Sequence, residues 1–314
     1  MTNTWLKAIQ QQQTTTPDFN TEESPSFAPL SQLGVLTVSG EDAQSFLQNL
    51  LTNDVAALEI NQSQLTGFCN AKGRLFALFL LIRYKQHYQI VLPRSMVNIL
   101  QQRLLMYVLR SKVTLSDDTD QLAIFSITNA QQSNLALLRL SEDDYQLLTN
   151  NQCLCIISMD KTEQLLDTID KLNWPLTSER VWDIAAIEAG LPMVFPETKE
   201  KFTPQQVNFD LVNGVSFKKG CYPGQEIVAR LHYLGTPSRR MFLAQIKSSK
   251  APNIGDEVIT DSGDTAGHIV YAEISSNNVI KLLVSLKLSD IEKSLHTADL
   301  ADIIILKTEL PEQA

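Results

Sequence analysis

The chain has 314 residues, 26 Lys+Arg against 35 Asp+Glu, and a formal net charge of −9. That balance excludes a basic nucleic-acid module of the ordinary kind, and 44% hydrophobic residues exclude a disordered chain. The longest apolar run, Leu75 to Ile82, is far short of the roughly twenty residues that a membrane-spanning helix needs.

The charge is unevenly spread. Between Ile60 and Ser116 stand Lys72, Arg74, Arg83, Lys85, Arg94, Arg103, Arg110 and Lys112, with no acid. Between Ser216 and Arg240 stand Lys218, Lys219, Arg230, Arg239 and Arg240 against Glu226 alone. An acidic body with two locally basic segments suits an anionic ligand or partner. Four cysteines in a chain of this length do not make a disulfide framework. No basic stretch followed by an apolar run opens the chain. The expected compartment is therefore the cytoplasm, with free thiols.

Residues 1–26 are rich in Gln and Thr and predict a mobile extension, with a short helix around Trp5 to Ile9. Order is expected from Leu33, with a strand at Val35 to Val38. Ser39, three residues before Asp42, resembles a capping box. Ala43, Phe46, Leu47, Leu50 and Leu51 then recur at helical spacing. Strands at 63–69 and 74–82 are joined by Asn70-Ala71-Lys72-Gly73, which is hairpin chemistry. A strand at 88–92, a helix over 95–109 and a strand at 113–115 complete a β-α-β-β-(β)-α-β unit close to a ferredoxin-like one.

A second α+β stretch is expected after Asp117: strand 121–128, a helix near 130–139, strand 153–158 and helix 161–172. A helix from Glu179 to Ala189 closes on Gly190, with Pro192 just beyond. After residue 238, short alternating segments separated by Gly, Asp, Asn and Ser predict a small antiparallel barrel or sandwich. The expected divisions are residues 1–26, 27–116, 117–173, 174–238 and 239–314.

The densest chemistry lies at Lys219-Gly220-Cys221-Tyr222-Pro223-Gly224-Gln225-Glu226. Pro223 and Gly224 form a turn, and Ile227, Val228 and Leu231 start a helix. Cys221 falls just before that helix, where its dipole and the cation of Lys219 both favour a thiolate. Gly220 and Gly224 leave room for a ligand or a second backbone near the sulfur. Cys69, Cys153 and Cys155 read as core residues. The histidines have no i, i+4 pairing, and no C-x-x-C pair occurs, so no permanently bound metal is expected.

This segment, with its downstream Arg230, resembles the signature of the YgfZ family. Those proteins bind folate, act in tRNA modification and iron–sulfur cluster assembly, and are related to the glycine-cleavage T-protein, an aminomethyltransferase. Further residues agree in order: Gly40-x-Asp42, Phe46-Leu47-Gln48, Thr52-x-Asp54, Cys69-Asn70-Ala71-Lys72-Gly73-Arg74, Trp182, Ile187-Glu188-Ala189-Gly190-Leu191-Pro192, and Phe202-x-Pro204-Gln205-x-x-Asn208. The likeness spans roughly residues 30–240.

The resemblance implies a T-protein-like α+β fold: ferredoxin-like units around a central hole, plus a C-terminal antiparallel β-barrel. It implies Cys221 and Lys219 as functional residues. It implies a tetrahydrofolate, or a one-carbon derivative, stacked on Trp182 with Glu188 on the pocket wall. The folate tail would be drawn to cations such as Lys72 and Arg230. Some family members carry a second aromatic where this chain has Leu33, which implies looser or shifted folate binding. The implied partners are folate, iron–sulfur enzymes as clients and tRNA, for a monomer away from the membrane. Two other readings stay open. One is a true aminomethyltransferase, although the Lys-Gly-Cys motif is not typical of that class. The other is a non-catalytic RNA or protein adaptor, which would bind with steep salt dependence.

Overall fold

The computed structural model describes residues 3–14, 25–129, 145–147, 152–276, 278–299 and 301–307. The helix expected near 130–139 lies outside them. The N-terminal stretch expected to be mobile contributes a packed element. Helix α1 (Asn3–Thr14) buries Trp5 edge-on between Phe27 and Phe125, with ring centroids 6.2 and 6.3 Å away. Order also begins earlier than expected, at strand β1 (Ser26–Pro29), which pairs antiparallel with β7 (Leu122–Thr128).

The first sheet follows. Strand β2 (Leu33–Ser39) leads into α2 (Ala43–Leu50), whose Ala43, Phe46, Leu47 and Leu50 are buried. Each large apolar side chain contributes about 1.5–3 kcal/mol, which holds a helix too short to persist alone. The expected Ser39 cap is not formed. Asp42 occupies the N-cap position, and its carboxylate accepts from the Lys112 backbone N–H at 2.8 Å instead. Strands β3 (Ser63–Cys69), β4 (Leu75–Arg83) and β5 (His87–Pro93) precede α3 (Arg94–Val108) and β6 (Thr114–Asp117). The sheet order is β3-β4-β5-β2-β6, antiparallel throughout. It is a ferredoxin-like unit with β5 inserted between β4 and β2.

The second sheet has the order β1-β7-β9-β8, with β8 at Tyr145–Leu147 and β9 at Gln152–Ser158. Its outer face packs on Trp5 of α1 and on Leu165 and Ile169 of α4 (Thr162–Lys171). Its inner face meets the first sheet through Val35, Ile82, Val91, Ile124, Leu154 and Ile156. The facing rows of the first sheet change character along the strands. Leu80, Val91 and Val35 form one apolar row, Ile82, Gln89 and Thr37 the next, and His87 and Ser39 the last. The space between the sheets is therefore apolar at one end and polar at the other.

Helix α5 (Glu179–Glu188) closes as expected. Gly190 has φ +69°, Leu191 N–H donates to Ala186 O at 2.9 Å, and Gly190 N–H donates to Ile187 O at 3.0 Å, a Schellman closure. Helix α6 (Gln225–Leu234) follows the Lys-Gly-Cys turn. The C-terminal sheet comprises β10 (Arg239–Lys247), β11 (Glu257–Thr260), β12 (Thr265–Ser276), β13 (Val279–Lys287), β14 (Leu295–Thr297) and β15 (Ile304–Lys307), in the order β14-β11-β12-β13-β10-β15. It curls into an antiparallel half-barrel. A bidentate pair joins it to the central segment: Arg240 donates to Asp210 at 2.7 and 3.0 Å. Asn208 makes a second link, exchanging hydrogen bonds with the Met241 backbone at 2.7 and 3.1 Å.

Candidate functional site

The carbonyls at the end of a helix lack intrahelical donors and attract a cation. At the end of α2 that cation is Lys219. Its ammonium donates to Gln48 O and Leu51 O at 2.6 Å and to Asn53 O at 3.0 Å. Burial lowers its pKa to about 8, while the Asp54 carboxylate acts in the opposite sense. An ammonium has three donors, and all three are committed to the backbone. Lys219 therefore holds the loop rather than hydrogen-bonding the Cys221 sulfur.

Tyr222 is the second anchor. It is buried, its ring centroid lies 5.4 Å from Lys219 Nζ, and burial pushes its phenol pKa up. Between these two buried side chains Cys221 is exposed. The alternation presents the thiol to solvent on a fixed backbone. Thr52 reinforces the frame: fully buried, it donates to Gly214 O at 2.7 Å and accepts from Gly67 N–H at 2.8 Å.

The two glycines of the motif do different work. Gly224 has φ +78°, and a Cβ there would lie 2.4 Å from Asn70 O and 2.6 Å from Gly73 Cα. Its lack of a side chain lets the β3–β4 hairpin tip dock on the start of α6. At Gly220 a Cβ would meet nothing within 4 Å. The expected close approach is thus at Gly224, and what approaches is the hairpin. The tip is built by Asn70, whose carboxamide oxygen accepts from Lys72 and Arg74 N–H at 2.9 and 3.1 Å, and by Gly73 at φ +68°. Lys72 is exposed beside this junction, and Arg230 is exposed farther along α6.

Trp182 and Leu33 meet elsewhere. Both line a cavity of about 330 Å³ at the apolar end of the space between the first two sheets, together with Gln64, Leu80, Pro192 and Phe209. Trp182 is 8% exposed, and its indole N–H has no hydrogen-bond partner among the described residues; the same holds for Gln64 Nε2. Gln64 and Phe209 carried no signal of their own in the sequence. Glu188 is not on the cavity wall. Its half-exposed side chain lies 3.6 Å from Lys281 on β13. Along the hairpin, the cavity residues of β3 and β4 are on the order of 15 Å from the tip at about 3.3 Å per residue.

The cations of the two basic stretches do not gather at one place. Arg83 donates to Leu58 O at 2.6 Å, Arg94 pairs with Asp120 at 2.7 Å and Lys112 with Glu41 at 2.6 Å. Arg103 lies over the rings of Phe76 and Tyr107, and Arg74 donates to Lys201 O. Sequence patterning reveals that cations are present but not which ones a fold consumes internally. Cys69, Cys153 and Cys155 are buried, as their strands predict, and burial pushes the Cys69 thiol up to about 12. Among the described residues no group of three or more His, Cys, Asp or Glu is arranged to hold a metal ion, and no helix is long and apolar enough to cross a membrane.

Comparison with known proteins matches this geometry to a family. Residues 20–146 match the GCVT N-terminal domain. The tRNA-modifying protein YgfZ of Photobacterium profundum is 30% identical over 246 residues, 75% of this chain and 74% of that protein. The chain belongs to the YgfZ family. Its counterpart in Aliivibrio fischeri strain MJ11 is 31% identical over 264 residues, 80% of this chain and 82% of that one. The glycine cleavage system aminomethyltransferase T of Bartonella henselae superposes with a TM-score of 0.66 at 14% identity, over 98% of this chain and 90% of that chain. The fold of this YgfZ-family chain is thus the aminomethyltransferase fold, as its motif implied.

Proposed function

We propose that this protein binds a reduced folate beside Trp182 and supports tRNA modification, including the upkeep of iron–sulfur enzymes that thiolate tRNA, through the thiol of Cys221. The observation that carries the folate half is the cavity. Its volume is of the size that small-molecule sites occupy. An indole and aliphatic walls suit a reduced pterin, whose pyrimidine half stays planar and can stack. The unpartnered donors of Trp182 and Gln64 suit its ring acceptors. Leu33 replaces an aromatic wall with an aliphatic one, so the ring would be held on one face by stacking and on the other by packing. When bound, a reduced folate supplies a one-carbon unit.

The tRNA half follows from the kinship with proteins named as tRNA-modifying. Cys221 supplies the exposed nucleophile, and Lys219 is its positioning residue. The exposed cations Lys72 and Arg230 are candidates to hold an anion, such as a folate tail or RNA phosphate.

The test is complementation. In a strain lacking this protein, the Cys221→Ser variant should fail to restore an iron–sulfur tRNA-thiolating activity, and full rescue would remove the thiol from the mechanism. Aminomethyl transfer with lipoylated carrier protein and glycine should be undetectable, and turnover there would favour the transferase reading.

A further inference from the structure

The polar end of the space between the first two sheets opens into a second cleft, of about 510 Å³. Its lining includes His87 and Gln89 from the first sheet, Tyr84 from the turn between β4 and β5, and Leu122, Ile156 and Ser158 from the second sheet. Lys85 and Lys161 stand at its mouth. It lies on the far side of the apolar seam of Val35, Ile82 and Ile124 from the Trp182 cavity.

Three features are unusual for a core edge. Gln89 occupies an inward-facing strand position, between Ile82 and Thr37, where its neighbours one row on are Leu80, Val91 and Val35. It is 8% exposed, and its Oε1 is buried without a hydrogen-bond partner, as is Oγ1 of Thr37 directly across the strand pair. Buried polar atoms without partners destabilise a fold; Gln89 lines the cleft, so a turn of its side chain would bring the carboxamide to a ligand there. Beside them the rings of Tyr84 and His87 stack, 4.8 Å apart and 19° from parallel. Burial lowers the His87 pKa, while the Asp118 carboxylate acts in the opposite sense. Leu122 and Ile156 supply an apolar wall opposite.

A ring platform, an apolar wall and a carboxamide at the base are the elements by which proteins hold an unstacked nucleobase. A carboxamide offers a donor and an acceptor side by side, the pattern that complements adenine. Lys85 and Lys161 line the cleft, and beside Lys161 the Asp160 carboxylate accepts from the Ser158 hydroxyl. Recognition there would rest on the base.

We propose that the cleft between Gln89, the Tyr84–His87 pair and Leu122 binds a nucleobase of adenine type, presented as a free nucleotide or within a single strand of RNA. The proposal does not depend on folate binding. It is tested on the full chain with adenosine 5′-monophosphate and with an adenine-containing single-stranded RNA decamer, by calorimetry and by thermal shift. Wild type should bind at least one of them and be stabilised by it. Gln89→Leu should weaken that binding at least tenfold while raising the Tm of the ligand-free protein, because it replaces an unpartnered amide with an apolar group. His87→Ala should weaken binding several-fold and is the second variant should Gln89→Leu misfold. Tetrahydrofolate affinity should be unchanged in both. Binding of the decamer alone assigns the base to a strand, and binding of the mononucleotide assigns it to a free ligand; either supports the site. Absence of binding by both probes at millimolar concentration, equal binding by Gln89→Leu, or displacement of the nucleotide by folate would overturn it.

Discussion

Replacing Lys219 by Met removes one ammonium and leaves the carbonyls of Gln48, Leu51 and Asn53 without their donor. A hydrogen bond from a charged group contributes about 1.5–3 kcal/mol, and three on one atom do not add. Removing a buried charge recovers part of its desolvation cost, consistent with the pKa being lowered to about 8. The net loss should be about 2–4 kcal/mol, a fall in Tm of roughly 3–6 °C for a chain of this size. Lys219→Arg should not restore it, since a planar guanidinium does not fit a three-carbonyl cradle. Two assays together decide the role: urea denaturation, and the rate at which an aromatic disulfide reagent labels Cys221, the one exposed thiol among the four cysteines. If Lys219 is a scaffold cation, stability falls and the labelling rate of the folded fraction changes less than fivefold. A variant as stable as wild type, with labelling slowed tenfold or more, would refute this reasoning and make Lys219 the activator of the thiol.

The two motif glycines should separate cleanly. Gly224→Ala forces a positive φ and a clash with the hairpin tip, and should cost about 2–4 kcal/mol; Gly220→Ala should be within about 0.5 kcal/mol of wild type, and the reverse order in urea midpoints would reject the docking role. Asp183 accepts from Tyr271 OH at 2.6 Å and Gln32 Nε2 at 3.1 Å, and burial raises its pKa from 3.8 to about 7. The folded carboxyl thus keeps a proton that the unfolded one releases. Its contribution is full below about pH 4 and is lost as pH rises through 7, at most about 4 kcal/mol. Asp183→Asn should therefore flatten the decline in urea midpoint between pH 5 and pH 8, and an unchanged slope would show that another group is responsible.

Local chemistry was the legible part of this chain. The helical spacing of Ala43 to Leu50, the Asn-and-Gly bracket of the hairpin and the Gly190 closure each act within a few residues, and each appears where its pattern places it. What stayed hidden depends on partners far along the chain. Strand β1 is four residues that become a strand by pairing with Leu122–Thr128. Trp5 is buried because Phe27 and Phe125 wait for it. Lys219 reads as an activator of its near neighbour Cys221, yet its acceptors are the carbonyls of residues 48, 51 and 53. Glu188 sits near the right helix but turns to Lys281. The one missed residue with a visible signal is Gln89. A Gln between His87 and Val91 on an alternating strand breaks the inward-facing row, and that break can be read from sequence once the face is known.

The cavity beside Trp182 is the proposed folate site. The chain has three tryptophans, Trp5, Trp174 and Trp182, and among them Trp182 alone lines that cavity. Titration with tetrahydrofolate, read by tryptophan fluorescence and by calorimetry on wild type, Trp182→Phe and Leu33→Trp, tests it most directly. Tetrahydrofolate should quench the wild type, the quenching should be lost in Trp182→Phe, and binding should tighten several-fold in Leu33→Trp, where the second ring supplies the stacking wall that Leu33 lacks. Quenching that persists in Trp182→Phe, together with unchanged affinity in Leu33→Trp, would place folate elsewhere and contradict it.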